Sequence, residues 1–209
     1  MTPDLLDLLV DPADERGSRI FGVVTAIVTN NQDPDKQGRV RVRYPWLAEE
    51  GEGESWWARI AVPMAGKQMG VYFLPEVDDE VLVAFEHGDV RFPYVIGCLW
   101  NAHRLPPEEN KDGDNPRRTI KSRSGHVVRF DDTDGNEKIE ILDAKGVVSV
   151  VIDSKEKTVT ITSSDGKLKL SGKGVEITSS DAVKVKADGD LSLEGTGQTT
   201  LKGSTVGIN

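Results

Sequence analysis

VVRF at Val127–Phe130, KIEIL at Lys138–Leu142, VVSVVI at Val147–Ile152 and TVTIT at Thr158–Thr162 open the stretch that decides the fold. It runs on through LKL at Leu168–Leu170, VEI at Val175–Ile177, VKV at Val183–Val185, LSL at Leu191–Leu193, TTL at Thr199–Leu201 and VGI at Val206–Ile208. Each piece alternates apolar and polar residues, the period-two pattern of a half-buried strand. Asp, Gly, Ser and Lys lie between them, residues that turn a chain. From Leu168 onward the runs begin seven or eight residues apart, which makes them a repeat.

A unit this thin does not fold alone. Its two or three apolar side chains are worth about 4–8 kcal/mol when fully buried. Ordering eight residues costs roughly 10 kcal/mol or more. A single chain wound from such units also exposes open strand edges along its length. Several copies wound about one axis remove both problems, so the pattern predicts an intertwined β-prism or β-helix over 125–209, as a homotrimer. A flat single-chain meander or solenoid is the simpler alternative. The inward positions of the prism are Ile139, Ile141, Val159, Ile161, Leu168, Leu170, Val175, Ile177, Val183, Val185, Leu191 and Leu193. The outward ones include Lys138, Glu140, Lys167, Lys169, Lys184 and Lys186, a solvated face of mixed charge that keeps a rod soluble. About ten runs stacked at ~4.8 Å give a rod roughly 45–50 Å long.

The chain of 209 residues carries a net charge of −9, which argues against a general binder of nucleic acid or anionic membranes. Its one cysteine, Cys98, lies in the apolar run YVIGCLW, reads as a small buried hydrophobe, and allows no disulfide within one chain. No run approaches a membrane span, and the start lacks the basic and apolar regions of a signal peptide. Assembly in the cytoplasm is therefore expected.

Residues 1–19 differ from the rest. Thr2-Pro3-Asp4 reads as a helix start, and Leu5, Leu6, Leu8 and Leu9 follow before Asp11-Pro12. So short an apolar helix is marginal alone and is expected to dock, onto its own domain or into a partner. From 20 to 105 the strand-like runs FGVVTAIVTN, RVRVRYPW, SWWARIAVPMAG, MGVYFLP, DEVLVAFEHGD and FPYVIGCLW follow one another with no helix of any length. Arg39, Arg41 and Arg43 fall on one face of the second run, with Val40, Val42 and Tyr44 on the other. Five or six short strands in so few residues predict a small barrel of OB size. Residues 106–124, beginning with PPEENKDGDNP, read as a linker.

GRVRVRYPWL, ESWWARIAVPMAG, GVYFLPEVDDEVLVAFEHGD and RFPYVIGCLWN, in this order, resemble the OB-fold domain of the phage baseplate assembly protein V and VgrG spike family. SRSGHVVRFDDTDGNEKIEI resembles the element by which that family enters its trimeric β-helix, so the likeness spans about Phe21 to Ile141. It implies an all-β protein, OB barrel then β-helix, forming the central spike of a contractile injection machine. Such a machine is a virion or phage tail-like particle, in whose baseplate the spike sits below a ring-shaped hub. Sheath contraction drives the spike through a target envelope, which it touches only transiently. VgrG proteins carry a large hub domain ahead of the barrel where this chain has some twenty residues, so the resemblance implies a separate hub protein, with Leu5, Leu6, Leu8 and Leu9 as candidate contacts. The interval between barrel and β-helix is too short for the lysozyme domain that some phage spikes insert there. The end, STVGIN, lacks the histidines of the iron site of certain short spikes. Val206, Ile208 and Asn209 are instead candidate contacts for a separate tip protein of the PAAR type.

No residue pattern points to catalysis or a cofactor. His87, His103 and His126 are far apart, with no cysteine or second histidine beside them. The run Asp131–Glu137 imitates a calcium loop, but placing Gly135 sixth puts Phe130 first and Ile141 twelfth, where carboxylates are required. The stretch around Asp33 fails in the same way, with Tyr44 twelfth. Asp78, Asp79 and Glu80 read as a solvated hairpin turn rather than an acid–base pair. Trp46, Trp56, Trp57 and Trp100 read as core or subunit contacts. The rival reading makes them stacking platforms of an OB module that binds nucleic acid or polysaccharide. An enzyme on a β-helix scaffold, such as a polysaccharide lyase, would need a cleft that these short repeats have little room to build.

Overall fold

The computed structural model describes residues 19–46 and 53–207. The first domain is built on β1 (Val24–Asn30), β2 (Arg41–Arg43), β3 (Arg59–Ile60), β6 (Glu80–Phe85) and β7 (Pro93–Leu99). Their order in the sheet is β2-β1-β6-β7-β3. Neighbours run antiparallel except β3 and β7, which are parallel through Arg59–Tyr94 and Ile60–Val95. Antiparallel bridges Val40–Ala58 and Arg43–Glu54 join the β2 edge to the segment leading into β3. The sheet thereby closes on itself, which removes its open edges.

Alternation places the core. Ala26 and Val28 from β1, Val40, Val42 and Tyr44 around β2, Ala58, Val81, Val83 and Phe85, and Val95 form one buried cluster. Valine dominates because a five-stranded barrel has room for small β-branched side chains and little else. Tyr44 closes one side against Phe85, with ring centroids 5.7 Å apart. A bulge between Leu82 and Val83 leaves Ile96 as the extra residue of β7, and Ile96 is exposed.

Two expectations for this domain are corrected. Cys98 is exposed near the end of β7, where it lines a surface groove with Trp100 and Arg104. The core half of the tryptophan reading is the second: Trp46, Trp56 and Trp100 lie outside the core, at 50%, 67% and 71% exposure, because their positions face away from the cluster. The run after β3 does not continue as a strand. It turns through a small hairpin, β4 (Ala65–Gly66) with β5 (Met69–Gly70), leaving Met64, Met69, Tyr72 and Phe73 exposed. Gly70 has φ +148, and a Cβ there would run into the Met64 carbonyl, so this turn requires glycine.

A second antiparallel sheet follows: β8 (Arg117–Lys121), β9 (Val127–Asp131), β10 (Lys138–Leu142), β11 (Val148–Asp153) and β12 (Thr158–Ser163), paired in chain order. Strand β8 lies inside the stretch 106–124 read as linker, so strand structure begins before residue 125. Beyond β12, residues 167–207 run extended with every residue exposed, and no strand pairing is assigned to them. Bends in this segment recur every eight residues, at Gly172-Lys173, Ser180-Asp181, Asp188-Gly189, Thr196-Gly197 and Ser204. The repeat is an octad. Leu5, Leu6, Leu8 and Leu9, with the expected N-terminal helix, and Ile208 and Asn209 lie outside the described residues. Among the described residues no helix is long and apolar enough to cross a membrane.

Candidate functional site

The second sheet has two unlike faces, set by its register. On one face the row Arg117–Asp131–Lys138–Asp153 runs across four strands with alternating charge, and Arg129 sits opposite Glu140 in the next row. Arg117 bonds Asp131 at 2.9 Å, Lys138 reaches Asp153 at 3.2 Å, and Arg129 meets Glu140 at 3.2 Å. Glu108, from the preceding loop, clamps this face: it accepts from Thr119 at 2.8 Å and pairs with Arg129 at 2.7 Å. The Thr133 hydroxyl pulls the Asp131 carboxyl down to about 2; burial opposes this, and the Arg117 guanidinium adds to it.

The opposite face is apolar. Phe130, Ile139, Ile152 and Val159 make one row, and Ile120, Val128, Ile141, Val150 and Ile161 the next. Phe130 is 49% exposed, Ile141 52% and Val159 67%, so among the described residues nothing covers this face. A contiguous uncovered patch of this kind marks an interaction surface. The same character continues through the octads, where Val175 and Ile177, Val183 and Val185, and Leu191 and Leu193 occupy the same two positions of successive units, all exposed. Leu168, Leu170 and Val206 are exposed as well. The face thus joins Ile139, Ile141, Val159 and Ile161 of the expected prism core with Phe130, Ile152, Ile120 and Val128. Those four and Val150 were not among the expected inward residues, though Phe130 and Val128 alternate visibly in VVRF.

The barrel carries a basic and aromatic surface. The Trp57 ring lies 5.0 Å from the Arg41 guanidinium and 5.8 Å from that of Arg39. Asp33 holds Arg39 through two hydrogen bonds of 2.7 and 2.9 Å, and it also accepts the amides of Asp35, Gln37 and Arg39. The Arg39 guanidinium therefore keeps the Asp33 carboxyl well below the usual carboxylate range. These bonds shape the loop, and the oxygens a calcium ion would need are already engaged. Asp79 and Glu80 are likewise committed, to Arg104 at 2.7 Å and Asn101 at 2.8 Å. Among the described residues no group of three His, Cys, Asp or Glu is placed to hold a metal ion. A groove of about 700 Å³ runs beside the β4–β5 hairpin, lined by Arg39, Arg59, Met69 and Tyr72 among others.

A family model for the type VI secretion system and phage-baseplate injector OB domain matches residues 24–100. Over these residues the chain is similar to the OB domain of phage-baseplate and VgrG-like injector proteins. Type VI secretion system spike protein VgrG4b of Pseudomonas aeruginosa is 35% identical over 141 residues, covering 61% of this chain and 17% of that protein. Spike protein VgrG5 of the same organism is 31% identical over 141 residues, covering 61% of this chain and 18% of that protein. The actin cross-linking toxin VgrG1 of Vibrio cholerae is 32% identical over 111 residues, covering 50% of this chain and 10% of that protein. The chain therefore spans less than a fifth of the length of these relatives. The family match covers the closed barrel, and the kinship is with components of phage-tail-like injection particles.

Proposed function

We propose that this protein is the central, cell-puncturing spike of a contractile injection machine, a structural protein without catalytic activity. Three copies bury the apolar face of the second sheet and the octads against one another along a common axis. The domains follow from this: residues 1–19 dock on a hub protein, 20–105 form the OB collar, the chain from 125 to 209 forms the β-helical rod, and the connection lies between. Leu5, Leu6, Leu8 and Leu9 contact the hub. Val206, Ile208 and Asn209 offer a seat for a tip protein of the PAAR type. Assembly takes place in the cytoplasm, and the rod meets the target envelope only on sheath contraction.

One observation carries the reading: the uncovered apolar face from Ile120 to Ile161, followed by octads with further exposed alternating apolar residues, in a chain whose barrel is of the injector type. Burying a large apolar side chain is worth about 1.5–3 kcal/mol, so nine such residues per copy are a substantial drive to associate. The closed prism has no free strand edge and cannot shorten without breaking many backbone bonds together, which is what a piercing rod requires. Light scattering on the purified chain tests this. A mass near three times 22.8 kDa is expected. A stable monomer overturns the proposal and moves the ligand-binding barrel to the front.

A further inference from the structure

The octads differ from one another in charge, and the order of those differences carries information. Numbered from each bend, the second position holds Lys173 in one unit and Asp181 in the next. The fifth holds Glu176 and Lys184, and the seventh holds Lys186, Glu194 and Lys202. Valine, isoleucine and leucine fill the fourth and sixth positions of the central units, so the fifth and seventh point to the other side of an extended segment.

From this we infer that the charges set the register in which three copies of this chain wind together, each octad lying against the next octad of a neighbouring copy. The inference rests on the trimeric reading above. In the threefold-symmetric winding, as against slipped ones, the three copies place the same octad on the three faces at any height. One level on, each copy has turned onto the adjacent face. Octad n of one copy therefore stacks on octad n+1 of another, about 4.8 Å away. In that register Lys173 meets Asp181, Glu176 meets Lys184, and Glu194 lies between Lys186 and Lys202. No like charges meet at these positions. A slip of one further octad sets Lys186 on Lys202, and stacking identical octads sets every charge on itself. Like charges directly opposite on a sheet are destabilising. Within one copy Glu176 and Glu194 accept from Thr178 and Ser192, and Lys186 reaches Asp188, all contacts between residues two apart. The charges are thus left available to a second copy.

The test uses the full chain and reads native mass, denaturant midpoint and dissociation rate. Glu194→Lys puts three lysines in one column on every face, and trimer dissociation should accelerate on the order of tenfold or more at low salt, since exposed pairs are individually weak but repeated. The gap should close in high salt. Exchanging Lys186→Glu, Glu194→Lys and Lys202→Glu together restores the alternation and should restore the midpoint. A trimeric wild type whose Glu194→Lys variant dissociates no faster overturns the register while leaving the trimer intact. So does a triple exchange as weak as the single change. A monomeric wild type overturns the trimer, and the register with it.

Discussion

Single carboxylates do much of the local shaping in this protein. Asp131 ties the end of β9 to Arg117 on β8 and caps the following turn through Thr133. Its native carboxyl titrates at about 2, below the ordinary aspartate value of about 3.9. The unfolded chain therefore takes up a proton first as pH falls, and the stability this group contributes is present above about pH 4 and lost as pH falls towards 2. Asp131→Asn should lower the denaturation midpoint at pH 7, with the gap to wild type closing across that window. A gap independent of pH would mean that the turn geometry, not the charge, matters. Asp33 was legible only as part of a turn. Its role as acceptor for three amides and one guanidinium was not, because no spacing rule announces which carboxylate folds back on its own loop. Which way the tryptophans face was not legible for a related reason: an aromatic residue in a strand run looks the same whether it faces the core or the outside.

At the scale of elements, alternation was the reliable signal. RVRVRYPW declared its buried and exposed faces, and Val40, Val42 and Tyr44 are indeed buried. The bulge at Leu82 and Val83 was invisible, and Cys98 was misplaced because YVIGCLW reads as a continuous apolar run although Ile96 and Cys98 alternate outward from Val95. Strand β8 was passed over because RRTIK has one apolar residue among charges. Its stability comes from partners distant in sequence, Asp131, Asp132 and Glu108. The apolar face of β9 to β12 offers a sharp test. Ile141 is half exposed in one copy, so Ile141→Glu should cost a monomer no more than about 0.5 kcal/mol, as surface changes usually do. In a trimer it buries three carboxylates together and should abolish assembly. Light scattering separates the two, and a trimer that tolerates the change would show that this face is not the interface.

For the whole molecule the question is what protects the octads. In one copy residues 167–207 are exposed throughout, with Lys169, Lys173, Lys184 and Lys186 open to trypsin. Wild-type protein should resist limited digestion there, whereas the Ile141→Glu variant should be cut rapidly up to β12, leaving barrel and second sheet. Rapid cutting of the wild type would contradict a closed rod. The regular spacing of the bends has a consequence of another kind. A wound rod whose corners return every eight residues behaves as a ruler with a fixed graduation. Duplicating residues 180–187 would lengthen it by one strand spacing, about 4.8 Å, and leave collar and tip unchanged. In a rod wound as proposed, an insertion of any other size would turn the corners out of phase for all three copies at once, so its reach is adjustable only in whole steps.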